Sequence, residues 1–331
     1  MKVLHIGKRG NMERYSAPGS ALERLETADM PMGLPAEDYL AAAADAEFLV
    51  ADAIAAVPAA LIDRMPNLRL IHSEGVAYNA IDLAAARRRR IYVCNSQGMN
   101  AAAVAEQTLL LMLGMLRDVA GNDHAVRQGR QIQVKEGYMQ RGDLREIADC
   151  TVGLVGYGDI ARKTAALLRA HGAARILCCK RTPLTPEQEA AEGVSCLPLE
   201  TLLSESDIVS LHVPMNGENR GLANDAFFSQ MREGSFFVNT ARGELVDDGA
   251  LIRALESGRL RMAALDTVDG EPVGPDHPLL RLPPQLAGRI LFSPHIGGIT
   301  AASFRRSYAM IWEDVQAVME GRRPERVVDP W

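Results

Sequence analysis

The sequence predicts an α/β protein whose parallel sheets are doubly wound, and three observations carry that prediction. Short apolar runs alternate with helical patterns from end to end, the signature of βαβ units. The chain has 331 residues, more than one ordinary core fills, so two domains are expected. A glycine-rich turn at Gly156 stands between a strand and a helix, as phosphate-binding turns of such sheets do.

In the first third the expected strands lie at Val3–Ile6, Phe48–Ala51, Leu70–Ser73 and Ile91–Val93, with Ala-rich helices between them. The rhythm resumes with Thr151–Val155, Arg175–Cys179, Ile208–Val213, Ser235–Asn239, Met262–Leu265 and Ile290–Phe292. Two long helical stretches interrupt it, at about Asn100–Gly129 and Ala301–Gly321. The run Leu109–Leu113 inside the first reads as buried, and it is too short for a membrane span. Arg87–Arg90 ends a helix begun at Ile81, where the macrodipole favours cations, and reads as a solvated helix end rather than a polyanion site.

Composition excludes several classes. Apolar residues make up 47% and charged residues 24%, with a formal charge of −6. That balance suits a soluble globular protein and argues against nucleic acid or an anionic membrane as the main partner. The five cysteines, at 94, 150, 178, 179 and 196, form no CxxC pair, and no histidine stands at zinc-like spacing, so no metal is expected. Cys178 and Cys179 read as small hydrophobes in a strand. The start, Met1 to Gly7, reads as a short strand without a signal-peptide core, and a reducing cytoplasm is the expected home.

The turn Gly156-Tyr157-Gly158-Asp159-Ile160-Ala161 reads GxGxxA. Gly156 permits the tight turn, Gly158 lets backbone approach a pyrophosphate, and Ala161 allows close packing of helix on strand. The helix N-terminus adds free N–H groups and a positive dipole end. In NAD-binding folds an acid about 20 residues on takes the ribose 2′-hydroxyl. Here Lys180, Arg181 and Thr182 end the next strand, so NADP is favoured over NAD, because cations and a hydroxyl suit a 2′-phosphate. Lys180 and Arg181 would otherwise be a plain solvated strand end.

Three later segments each put polar residues just past an apolar strand: Asn239-Thr240-Ala241-Arg242-Gly243, Asp266 with Glu271-Pro272 beyond, and Ser293-Pro294-His295-Ile296-Gly297-Gly298. In open α/β sheets such positions face the ligand crevice. A guanidinium fork pairs with a carboxylate, a histidine delivers a proton to a carbonyl oxygen, and a carboxylate holds that histidine protonated. Met singly, each of Arg242, Glu271 and His295 is as readily a structural group.

The motifs GYGDIA, NTARGELVD, ALDTVDGEP and SPHIGG, in this order, resemble the D-isomer-specific 2-hydroxyacid dehydrogenase family over nearly the whole chain. The resemblance implies that Arg242 binds the substrate carboxylate and carbonyl, His295 is the general acid and base, and Glu271 orients His295. It implies that Thr240, Ala241, Asp266 and Gly298 seat the nicotinamide end, and that His212, Val213 and Pro214 line the cofactor. Gly75, Val76 and Ala77, with Asn100, would belong to the substrate site, the amides of Val76 and Ala77 cradling the carboxylate. It implies two Rossmann-like domains with the site in the cleft: a substrate domain of 1–100 plus 299–331, and a dinucleotide domain of 101–298. The long helix would build a homodimer.

The expected activity is hydride transfer between NAD(P)H and C2 of a small 2-keto or 2-hydroxy acid, such as glyoxylate or hydroxypyruvate. The alternatives are a 3-phosphoglycerate dehydrogenase-like enzyme and a dinucleotide-sensing regulator on the same fold. Glu74, beside the substrate loop, is expected to repel substrates with extra negative charge if its side chain points inward, and no regulatory extension is expected beyond Trp331. Ala77 stands where the family often has glycine. Residues 280–289 are expected to form a surface loop, and His5, His72, His124, His171 and His277 to be structural or surface groups.

Overall fold

The computed structural model describes residues 1–328. Residues 329–331, which the expected substrate domain includes, lie outside the described residues. Two compact units are present: Met1–Asn100 together with the chain from Ile299 onward, and Ala101–Gly298.

The first unit holds five parallel strands: β1 (Lys2–Ile6), β2 (Glu26–Met30), β3 (Phe48–Ala51), β4 (Leu70–Ser73) and β5 (Tyr92–Cys94). Their spatial order is β2-β1-β3-β4-β5. All neighbours pair in parallel, which forces helical crossovers onto both faces of the sheet. Leu4, Ile6, Leu49 and Ile71 pack on one face with Leu61, Ile62 and Ala85. On the other, Val3, Phe48, Val50 and Leu70 meet Tyr308, Ile311, Trp312 and Val315 of the Ala301–Met319 helix. That helix starts at Thr300, whose hydroxyl accepts from Ser303 N.

The second unit holds seven parallel strands: β6 (Thr151–Val155), β7 (Arg175–Cys179), β8 (Ser195–Cys196), β9 (Ile208–Leu211), β10 (Ser235–Asn239), β11 (Leu260–Leu265) and β12 (Ile290–Phe292). They lie in the order β12-β11-β10-β9-β6-β7-β8. Strand order reverses between β6 and β9, and open sheets of this kind bind ligands beyond the strand ends at such a switch point. Phe227, Phe228 and Phe237 meet edge-on at centroid separations of 5.2 to 6.2 Å within one core. Val152, Leu154 and Cys178 face the other, against Leu111, Met112 and Met115 of the Ala101–Leu116 helix.

Several expectations need correction. The expected Asn100–Gly129 helix is broken at Asp118, which sits at φ 45 and caps Gly121 N with its carboxylate. Separate helices follow at Val119–Arg127 and Gln131–Arg141. Leu110 of the first helix is exposed, in contrast to Leu109, Leu111 and Met112. The Leu83–Arg88 helix is shorter than expected because Asp82 caps it and Arg90 turns to φ 54. Arg89 is not simply solvated, since its guanidinium donates to the carbonyls of Ile62, Met65 and Pro66. Residues 280–289 are mostly exposed, as a surface loop would be, but a short helical turn at Pro284–Ala287 buries Leu286.

Candidate active site

The glycine turn follows β6 at the switch point. Gly156 adopts φ 94, and a β-carbon there would lie 2.6 Å from the His212 carbonyl oxygen. Gly156 N donates to Cys179 O at 2.9 Å, and His212 N to Val155 O at 2.7 Å, so the turn is knitted to the ends of β7 and β9. A β-carbon on Gly158 would meet open space, and the Asp159–Ala170 helix begins there. Ala161 is fully buried. Backbone amides, a helix N-terminus and an open cradle together fit a dinucleotide pyrophosphate.

Around this turn the candidate cofactor residues fall into distinct environments. Tyr157 is buried under the Arg162 guanidinium, 5.1 Å from its ring centre, and burial pushes its phenol up to about 12. Asp159 is exposed and Ile160 half-buried. Lys180 follows β7 half-buried, with Arg181 and Thr182 exposed. Beyond β9, burial pulls the His212 imidazole down to about 4, and its Nε2 lies 3.0 Å from Ser210 Oγ. Val213 is half-buried and Pro214 exposed.

Past β10, Asn239 organises the next turn. Its Oδ1 accepts from Ala241 N at 3.0 Å and its Nδ2 donates to Arg242 O at 2.8 Å. The sequence reading missed this role. Gly243 is obligatory, because a β-carbon there would fall 2.0 Å from the Val268 carbonyl carbon. Arg242 is left exposed, its Nη1 donating to Ala241 O at 2.7 Å. Buried Thr240 meets Thr108 Oγ1 at 2.9 Å.

Past β11, buried Asp266 spends its carboxylate on the loop after β12. Oδ2 accepts from Gly297 N at 2.9 Å, and Oδ1 from Ile296 N at 3.1 Å and the Ser293 hydroxyl. Ser293 in turn accepts from Gln107 Nε2 at 3.0 Å. These bonds hold His295 at φ 54, an uncommon conformation for a residue other than glycine. Its Nδ1 lies 2.6 Å from Glu271 Oε2, and Glu271 Oε1 accepts from Val268 N at 2.7 Å. Glu271 is therefore fixed at both oxygens. The arrangement is a carboxylate-oriented imidazole, together with a guanidinium on the turn after β10 that has no acidic partner among the described residues.

In the first unit the 75–77 loop follows β4. Gly75 is packed so that a β-carbon would lie 2.8 Å from that of Ala53. Val76 is exposed, and Ala77 and Asn100 are half-buried. Glu74 corrects the sequence reading. It is buried, with Oε1 bound by His5 at 2.9 Å and by the Tyr308 hydroxyl, so its carboxylate is internally committed and does not act as an exposed charge beside the loop.

Among the described residues no helix is long and apolar enough to cross a membrane, and no cluster of His, Cys, Asp and Glu could hold a metal ion.

The family described as "D-isomer specific 2-hydroxyacid dehydrogenase, NAD binding domain" matches residues 109–297. A glyoxylate reductase of Aeropyrum pernix is 33% identical over 296 residues, which is 89% of this chain and 86% of that protein. A D-3-phosphoglycerate dehydrogenase of Archaeoglobus fulgidus is 30% identical over 88% of this chain and 53% of its own length. The NAD complexed form of a D-isomer specific 2-hydroxyacid dehydrogenase from Lactobacillus delbrueckii ssp. bulgaricus superposes with a TM-score of 0.84 over 99% of this chain and 100% of that one. At 23% identity that likeness speaks for the fold alone. The matched domain, and an identity that spans most of both chains, place this chain in the D-isomer-specific 2-hydroxyacid dehydrogenase family.

Proposed function

We propose that the protein reduces a small 2-keto acid at C2, with glyoxylate or hydroxypyruvate as the substrate class, and runs the same step backwards on the D-2-hydroxy acid. The observation that carries the reading is the His295–Glu271 pair at 2.6 Å, with Arg242 presented from the turn after β10. The glyoxylate reductase relative supports the substrate class. When bound, the nicotinamide supplies or accepts the hydride.

The residues of the chain do the rest. Arg242 pairs with the substrate carboxylate and polarises the carbonyl, a task its planar fork suits. His295 gives its Nε2 proton to the carbonyl oxygen on reduction and takes it back on oxidation. Glu271 keeps Nδ1 protonated, so that Nε2 is the exchanging nitrogen. Thr240, Ala241, Asp266 and Gly298 would seat the nicotinamide end, and Tyr157, His212, Val213 and Pro214 would line the dinucleotide. Gly75, Val76, Ala77 and Asn100 would serve the carboxylate, through the loop amides. The domain roles are proposed as substrate binding for 1–100 with 299–331 and dinucleotide binding for 101–298. A cytoplasmic homodimer completes the proposal.

NADP is the proposed cofactor in preference to NAD. Lys180 and Arg181 make no hydrogen bond or ion pair among the described residues, and no carboxylate follows β7 before Glu187. The relative named as a phosphoglycerate dehydrogenase keeps a second reading in play, because Glu74 is internally committed and does not oppose a phosphate.

The test is steady-state oxidation of NADPH and NADH with glyoxylate, hydroxypyruvate, pyruvate and 3-phosphohydroxypyruvate. Turnover with the small keto acids and NADPH is expected, and Lys180→Asp should lower kcat/KM for NADPH by about tenfold or more, the worth of one charge-assisted phosphate contact. A wild type that prefers NADH refutes the cofactor assignment. Turnover with 3-phosphohydroxypyruvate alone favours the second reading.

A further inference from the structure

The first unit carries a buried charged cluster directly under the 75–77 loop, outside the groups assigned to the chemistry. His5 of β1 is fully buried between two carboxylates: its Nδ1 lies 2.5 Å from Asp29 Oδ1 of β2, and its Nε2 lies 2.9 Å from Glu74 Oε1. The Tyr308 hydroxyl donates to the same Glu74 oxygen. Glu74 Oε2 is buried with no hydrogen-bond partner. Gly7 is a companion requirement, since a β-carbon there would lie 2.6 Å from His5 Nε2. A carboxyl group with one bare oxygen is costly to bury, and here it sits at the residue that opens the loop.

The loop backbone shows what that carboxylate accompanies. Four successive carbonyls are tied down: Glu74 O by Ser307 Oγ at 2.5 Å, Gly75 O by Ser96 N at 2.9 Å, Val76 O by Asn95 Nδ2 at 2.7 Å, and Ala77 O by Ser73 Oγ at 2.6 Å. Ser307 also meets Ser96 Oγ at 2.8 Å. The amides of Val76 and Ala77 donate to nothing among the described residues. With every carbonyl committed, the loop can offer an anion only its N–H groups, and it cannot relax to pair them without breaking an anchor.

We infer that Glu74 is a positioning residue: clamped by Tyr308 and by His5, which Asp29 holds from its other ring nitrogen, it keeps the 75–77 loop in the conformation whose amides receive the substrate carboxylate. This rests on the keto-acid reading above. The cluster makes substrate affinity depend on a buried proton. Burial alone would pull the His5 imidazole down, but its hydrogen bonds and charge contacts with Glu74 and then Asp29 outweigh that, and the net shift is upward. The groups facing His5 are Asp29 from β2, Glu74 after β4 and Tyr308 from the C-terminal helix, with Tyr15 stacked on Tyr308 at 6.3 Å. Among the described residues neither carboxylate pairs with a lysine or arginine. Once His5 loses its proton, two carboxylates share the site with no cation, and the loop loosens as pH rises.

Two measurements test this, one independent of turnover. Keto-acid KM, kcat and dinucleotide KM are compared in wild type, Tyr308→Phe, Glu74→Gln and His5→Gln across pH. Amide exchange of residues 73–78, corrected for its intrinsic pH dependence, is followed in the same proteins. The expected result is a keto-acid KM about tenfold higher in Tyr308→Phe and Glu74→Gln, with kcat within about twofold and the dinucleotide KM unchanged. Wild-type KM should climb at alkaline pH, that climb should be absent in His5→Gln, and loop exchange should quicken in step. Should a variant fail to fold, the wild-type exchange and KM profiles against pH still decide the matter. Faster loop exchange with an unchanged KM overturns the inference, as does loop exchange indifferent to pH and substitution. So does an equal loss of kcat and both KM values. A wild type inert toward every keto acid refutes the reductase reading instead, on a different readout.

Discussion

His295 illustrates how single side chains are set. Its positive φ is held because the Asp266 carboxylate captures the two following amides, and its ring is aimed because Glu271 is itself anchored on Val268 N. A general acid in the role proposed for His295 contributes about 10²–10⁴-fold, so His295→Gln should cut kcat by that order while the dinucleotide Kd stays within about twofold. Stopped-flow turnover and fluorescence titration of the same preparation check both halves. A glutamine variant of undiminished kcat would remove His295 from the chemistry. Arg242 and His295 were legible as candidates because each stands just beyond an apolar strand, and Glu271 because it follows Asp266 in the loop after β11. Asn239 was visible only as part of a motif, since an amide bracing its own turn has no spacing signature. The Gln107–Ser293–Asp266 chain joins residues 186 positions apart, and no local pattern announces such a pairing. The partners of Glu74 were hidden for the same reason: His5 and Tyr308 are distant in sequence, and no local pattern shows which way its side chain points. Burial pushes the thiols of Cys94, Cys178 and Cys179 up, and that of Cys150 up to about 11.

Among elements, the β6 turn is the least tolerant. Gly156 combines φ 94 with a neighbouring carbonyl 2.6 Å from any β-carbon. Gly156→Ala must therefore adopt a disfavoured backbone and displace the β9 end together. Dinucleotide Kd should rise by more than about tenfold, and stability should fall by about 1–3 kcal/mol, the usual cost of such backbone strain. Calorimetry with and without dinucleotide measures both, and an alanine variant that binds normally would show the turn to be slack. Long buried strands were readable because both faces of a parallel sheet are covered, which leaves continuous apolar runs. The strands that escaped notice lie at sheet edges. β2 reads Glu-Thr-Ala-Asp-Met and is largely solvent-facing, and β8 has two residues; neither carries a period. The break at Asp118 was hidden because helical spacing continues across it, and only a side-chain cap and a left-handed residue mark the joint.

For the whole molecule, the doubly wound class followed from alternation alone, whereas buried polar pairing did not. The C-terminal helix of the first unit buries Asp314 against His72 Nε2 at 3.2 Å, with Glu325 N donating to its other oxygen and Arg326 nearby. Burial would raise the Asp314 carboxyl, but the His72 contact leads the opposing effects and the net shift is downward. A depressed carboxyl stabilises the fold above its ordinary value and loses that contribution as pH falls through the folded value. Asp314→Asn should therefore lower Tm clearly at neutral pH, and the deficit should shrink toward pH 3. Thermal melts across that range decide it, and a deficit independent of pH would mean that the asparagine fails through packing rather than charge.

The central claim, hydride delivery to C2 of a 2-keto acid, meets its most direct test in the handedness of the product. Hydroxypyruvate is reduced to completion by the purified protein with NADPH, and the glycerate is resolved by chiral chromatography. Only the D-isomer is expected on the proposed roles, in which Arg242 holds the carboxylate and His295 the carbonyl oxygen and together fix the face of C2 that receives the hydride. L-glycerate, a racemate, or no glycerate from a protein that binds dinucleotide tightly would contradict the account.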